Sequence, residues 1–137
     1  MVREEELTQL VLKIVEKIKK EYQPEKIILF GSYAYGKPDR DSDLDFFIVK
    51  KTADRPIDRR VEVIRIVSDP NMRISFEPIV LTPEEVKRRV EIGDQFVKEI
   101  IEKGEVLYAG NIGMKQGLEV ILQAADLLRN KKIFCFV

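Results

Sequence analysis

The chain has 137 residues, enough for one domain with a real hydrophobic core, and 45% of them are hydrophobic against 35% charged. Its 24 basic and 24 acidic residues cancel overall and piecewise, six of each sign in 1–30 and nine of each in both 31–81 and 82–137, which argues against capture of nucleic acid by bulk charge. With no histidine and one cysteine, Cys135, the chain cannot build a Ser-His-Asp or Cys-His site, a zinc centre of His or Cys ligands, or an internal disulfide.

The opening Arg3-Glu4-Glu5-Glu6 is wrong for a signal peptide and no apolar run approaches a membrane span, so a cytoplasmic protein without a membrane anchor is expected. Residues 3–22 carry Leu7, Leu10, Val11, Ile14, Val15 and Ile18 at the spacing of one buried helical stripe, ended by Gln23-Pro24. Lys26–Phe30 reads as a short buried strand. Gly31-Ser32 follows at once, then Tyr33–Gly36 and a polar turn over 37–42. A second strand over Asp43–Val49 is acidic at its start and apolar at its end. Pro56 opens a helix to about Val67, with Ile57, Val61, Ile64 and Val67 expected on its buried face. After a turn at Asp69-Pro70-Asn71, a third strand covers Ile74–Leu81, and Pro78 within it predicts a sheet edge because proline cannot donate to a ladder.

Thr82-Pro83-Glu84-Glu85 is a capping box with proline at the first helical position. The helix it opens is expected to run to about Lys103, with Val86, Val90, Phe96, Val97, Ile100 and Ile101 inward and Gly104 as the stop. Glu105–Ala109 reads as a last short strand. Residues 1–110 thus form one unit, and 111–137 a C-terminal helical and apolar tail. In the tail, Leu118, Ile121, Leu122, Ala125 and Leu128 fall at helical spacing before the apolar Ile133–Val137. Two readings of the tail stand open, a docked terminal element and a contact surface for a partner or a second copy.

Asp39, Asp41, Asp43 and Asp45 alternate over seven residues. A calcium loop fails: counted from Asp39, its glycine position holds Leu44 and its closing glutamate position holds Lys50, and counted from Asp41 they hold Phe46 and Thr52. A strand beginning near Asp43 instead places Asp43 and Asp45 on one face, about 6–7 Å apart, with Asp39 and Asp41 in the preceding turn. Two such carboxylates can hold Mg²⁺, and Glu77 on the third strand is the candidate third acid. Gly31-Ser32, directly after a strand, can admit a phosphate to the backbone and offer a hydroxyl. Lys37, Arg40, Lys50, Lys51 and Arg73 are candidate phosphate contacts as well as ordinary surface charges, and Tyr33 and Tyr35 candidate base-stacking rings as well as packing residues.

Gly31-Ser32, ten residues, then Asp43-Leu44-Asp45 resembles the signature of the polymerase β-type nucleotidyltransferase superfamily. The stretch GSYAYGKPDRDSDLDFFIV is similar to its minimal nucleotidyltransferase (MNT) branch, and EPIVLTPEEV looks like that branch's third-acid strand. The resemblance implies an α+β fold, a small mixed sheet flanked by helices, with Asp43, Asp45 and Glu77 as catalytic and metal-binding acids and Gly31 and Ser32 as the phosphate-binding pair. Relatives usually carry Asp where Glu77 stands, which leaves open whether Glu77 ligates metal or acts as base. Implied with it are two Mg²⁺ ions, ATP as substrate, and transfer of AMP to a hydroxyl, a tyrosine of a partner HEPN toxin, so that the chain acts as antitoxin. A non-catalytic nucleotide-binding module that occludes its partner is the alternative, and a nucleotide sensor a third; a homo-oligomer falls under the contact-surface reading of the tail.

Overall fold

The structure, a computed structural model, describes residues 4–110. The expected tail, 111–137, lies outside the described residues. The element order is α1 (Glu4–Glu21), β1 (Lys26–Phe30), α2 (Ser32–Tyr35), β2 (Leu44–Val49), α3 (Pro56–Val67), β3 (Phe76–Leu81), α4 (Pro83–Glu91), α5 (Gln95–Lys103) and β4 (Glu105–Ala109). The strands form one mixed sheet in the order β3-β2-β1-β4. β1 pairs antiparallel with β2 and with β4, while β2 and β3 run parallel, joined by the α3 crossover. The expected α+β architecture is therefore present.

Both faces of the sheet are covered, which is why the strands read as continuous apolar runs. On one face α1 and α3 pack Val11, Ile14, Val15, Ile18, Val63, Ile66 and Val67 against Ile27, Leu29, Leu44, Phe46 and Ile48. On the other, α4 and α5 pack Val86, Val97, Ile100 and Ile101 against Ile28, Phe30, Phe47 and Val49. Residue parity along β1 and β2 assigns each side chain to its face.

Pro78 does sit on an edge strand. The β3 carbonyl of Leu81 accepts from Lys50 in the β2 direction, so Pro78 and Val80, of opposite parity, turn their backbone groups outward. Two arginines of α3 cover that edge: Arg60 Nη1 donates to the Pro78 carbonyl at 3.1 Å and Arg59 Nη1 to the Val80 carbonyl at 3.2 Å. A row of acceptors that could template another strand is thereby blunted.

Two expectations need correction. The stripe Ile57, Val61, Ile64 on α3 faces solvent, at 56%, 57% and 37% exposure, and the buried face is Arg59, Val63, Ile66 and Val67. Arg59 takes the inward place because its charge is met there by Glu85 (Nη1–Oε1 2.8 Å, Nη2–Oε2 3.3 Å) and by the Asp54 carbonyl at 2.8 Å. The second correction concerns the long helix after Thr82. It is two helices, broken at Gly93, whose φ of +82° few other residues adopt. Asp94 then caps α5, its Oδ1 accepting from the Phe96 and Val97 amides at 2.9 and 3.2 Å. The change of direction leaves Phe96 51% exposed, not inward as its spacing predicts.

Candidate active site

The chain's acids meet at the end of the sheet where β1 finishes and β2 and β3 begin. Phe30, the last residue of β1, lies opposite Asp45 of β2, and Asp45 lies opposite Glu77 of β3. Cross-strand partners share a face, so these three side chains emerge on the α4/α5 side, and Asp43, just ahead of β2, stands close enough to act on the charge of Asp45.

The approach to β2 is a turn built by Asp39. Its Oδ1 accepts from the Asp41 amide at 2.8 Å and from the Ser42 hydroxyl at 3.2 Å, while Ser42 Oγ accepts from the Asp39 amide at 2.8 Å. Asp39 is thus spent on the local turn, as its short side chain favours. The Leu44 amide then donates to the Ser75 carbonyl at 2.8 Å, setting the register of β2 against the segment leading into β3.

Gly31 is constrained twice. Its φ of +80° and ψ of −163° lie in a region open essentially to glycine alone. A Cβ there would also overlap Oδ2 of Asp45. The missing side chain makes room for a carboxylate of the site as well as leaving the backbone accessible. The Gly31 carbonyl accepts from the Ala34 and Tyr35 amides, both at 3.0 Å, closing the single turn of α2 that carries Ser32. The Ser32 hydroxyl has no hydrogen-bond partner among the described residues.

Electrostatically the rim is in conflict. The Asp45 carboxyl is pushed up to about 6, first by burial and then by the nearby charges of Asp43 and Glu77. Glu77 has a partner of its own, Arg60, whose Nη2 stands 3.0 Å from Oε1 and reaches around the open edge of β3. Among the described residues no three acids are gathered into a ready-made metal cage. The three carboxylates therefore share a rim, but the third is drawn toward α3.

Of the cations singled out by sequence, Arg40 and Arg73 come together, lining with Tyr33, Ser42, Asp43 and Ser75 a cavity of about 380 Å³ on the outer flank of Asp43. Lys50 and Lys51 do not: they follow the far end of β2, roughly 17 Å of strand from Leu44. Lys50 there donates to the Tyr22 carbonyl at 2.6 Å and lies over the Tyr22 ring. Tyr35 is an exposed residue of α2. Sequence reasoning passed over Arg60, whose role depends on a partner 17 positions away. It also placed Phe96 in the core, although Gly93-Asp94, a helix stop followed by a cap residue, marked the break.

A small mixed sheet with paired aspartates at one rim, beside a strand-Gly-Ser bend, is the architecture of a nucleotidyltransferase. A family model described as Polymerase beta, Nucleotidyltransferase matches residues 12–112, and the chain belongs to that family. No curated protein sequence matches it. Among solved structures it is similar to a mutant of the toxin–antitoxin MntA–HpeT, at 16% identity and a TM-score of 0.54 over 88% of this chain and 85% of that one. A toxin–antitoxin structure with AMP-PNP aligns at 16% identity and a TM-score of 0.55 over 87% and 86% of the two chains. A Sulfolobus solfataricus protein assigned as a nucleotidyltransferase aligns at 22% identity and a TM-score of 0.51 over 78% and 84%. Among the described residues no helix is long and apolar enough to cross a membrane.

Proposed function

We propose that this chain transfers AMP from ATP to a hydroxyl of a partner protein, a tyrosine of a HEPN toxin, and acts as its antitoxin. The observation that carries the reading is the placement of Asp45 against Gly31 with Asp43 close by, the Asp45 carboxyl held at about 6 by burial and by neighbouring acids. Carboxylates crowded in this way offer hard oxygen donors and surplus negative charge, which fits Mg²⁺. Bound there, the ion supplies neutralisation of the triphosphate and of the departing pyrophosphate.

The protein groups do the rest. Asp43 and Asp45 would hold the ion. The Gly31 backbone, free of a side chain, lets the triphosphate lie close, and the Ser32 hydroxyl donates to a phosphate oxygen. Glu77, once released by Arg60, either adds a ligand or accepts the proton of the attacking hydroxyl. The oxygen attacks the α-phosphorus in line, the bond to pyrophosphate breaks, and the acceptor leaves as its adenylyl ester. The toxin–antitoxin character of two structural neighbours, one with AMP-PNP, supports a toxin as the partner and a nucleotide as the substrate.

The test is to incubate the full chain with Mg²⁺, α-labelled ATP and a purified HEPN partner and to follow label on the partner. Parent protein is expected to label it, and Asp43→Ala with Asp45→Ala to fall at least about a thousandfold, since the double change removes the electrostatic support of the transfer. Equal labelling by the double variant rejects the site. Neutralisation without labelling by either protein replaces transfer with occlusion.

A further inference from the structure

The rim extends past the carboxylates as an apolar surface that transfer chemistry alone does not use. Phe30 lies opposite Asp45, and its ring meets that of Phe96 edge-on, with centroids 5.7 Å apart and planes at 86°. Phe30 thus stands between the two, so the Phe96 ring lies on the same face of the sheet as Asp45 and one aromatic side chain away from it. A nucleotide held by its phosphates at the carboxylates can extend its nucleoside half over this face.

Phe96 is also held ready. Gly93 turns the chain, and Asp94 fixes the first turn of α5 by accepting from the Phe96 and Val97 amides. Asp94 is itself anchored by Arg89, whose Nη1 is 3.0 Å from Oδ2. Phe30 supports one side of the ring, and half of the residue, 51%, stays exposed. An aromatic side chain with few rotamers, fixed backbone and an open face costs little entropy to use as a stacking platform.

We propose that Phe96 is the stacking platform for the nucleobase of the nucleotide substrate. The proposal rests on the nucleotidyl-transfer reading above and adds where the nucleoside half lies. Stacking accepts every base, so ATP and GTP should bind within a few-fold of each other.

The chain has no tryptophan, so Phe96→Trp installs a single indole at the point in question. The full chain with Mg²⁺ is titrated with ATP and, separately, with inorganic tripolyphosphate, by calorimetry and by indole fluorescence. Phe96→Trp should bind ATP at least as tightly as the parent and report ATP, but not tripolyphosphate, by a change in emission. Phe96→Ala should weaken ATP by about 5- to 100-fold and leave tripolyphosphate unchanged. Phe96→Leu, which keeps an apolar side chain over Phe30, should fold normally and still lose ATP affinity. Equal ATP affinity for parent and Phe96→Ala, with an indole blind to ATP and tripolyphosphate still bound, overturns the platform and leaves the transfer reading standing. If the parent binds neither ligand, the transfer reading itself fails and takes the platform with it.

Discussion

Two half-buried charge systems lie on this sheet, and they are handled in opposite ways. Arg59 is 5% exposed and fully answered: two backbone carbonyls and both oxygens of Glu85 accept from its guanidinium. Glu85 is answered in turn, accepting from the Thr82 amide at 2.9 Å, and the Arg59 hydrogen bonds hold its carboxyl below the usual range. Asp45, partly buried at the rim, faces two more acids and is pushed the other way, up to about 6. A charge that organises the fold is matched within the chain. A charge left unmatched, where the same chain plainly could supply arginines, is what the proposed site would need for a ligand from outside.

The sharpest way to break this contrast is at Arg59. Arg59→Ala removes one partner of a buried network, leaves two carbonyls unanswered and takes from Glu85 its opposite charge, for an expected loss of about 3–5 kcal/mol in urea unfolding. Arg55→Ala is the control, since its pair with Asp58 is largely exposed and should contribute nothing measurable. If the two variants unfold alike, the network is not what ties α3, β3 and α4 together.

Gly31 belongs to the second system, because its missing side chain is what lets Asp45 sit where it does. Gly31→Ala should cost about 2 kcal/mol from the backbone conformation alone. The new methyl must also push the Asp45 carboxylate aside, and a carboxylate can swing away. The expected result is therefore a folded protein with a lower midpoint and lost transfer activity. Retention of activity would show that Asp45 does not need its present position.

Much of this was legible from local pattern and little of it from anything longer. Strands β1 and β4 follow from short apolar runs set off by a helix end, a glycine or a helix stop, and the proximity of Asp43 to Asp45 from their spacing of two, none of which needs knowledge of the rest of the chain. Pro78 announced an edge because a missing amide has the same consequence in any sheet. The buried face of α3 was misread because Ile57, Val61 and Ile64 are the better apolar stripe. Burying Arg59 instead depends on Glu85, 26 positions later, and no helical periodicity encodes that partner. The break at Gly93 was hidden by apolar residues that continue at helical spacing on both sides of it. The same non-locality hid Arg60, and with it the fact that the third acid has a partner while the first two do not pair with any cation within the described residues.

The smallest expected effect tests the contrast most directly. Asp45 in the folded chain holds its proton up to about pH 6, against an ordinary value of 3.8. Between those values the native state binds more protons than the unfolded state, so stability falls as pH rises from about 4 to about 6. Above that window the ionised carboxylate is a standing cost, and Asp45→Asn removes it without changing shape. The variant should be more stable than the parent at pH 7 by on the order of 1 kcal/mol, the full linkage being discounted for the solvent that reaches the site. The difference should vanish below about pH 4, where both side chains are neutral. On the proposed reading, Mg²⁺ should then stabilise the parent and not the variant, through binding to the folded state alone. Chemical unfolding at pH 7 and pH 4, with and without the ion, reads all of these at once. An Asn variant that is no more stable than the parent at pH 7 would mean that the rim carries no electrostatic strain, and that the unmatched charge of Asp45 is an ordinary surface charge after all.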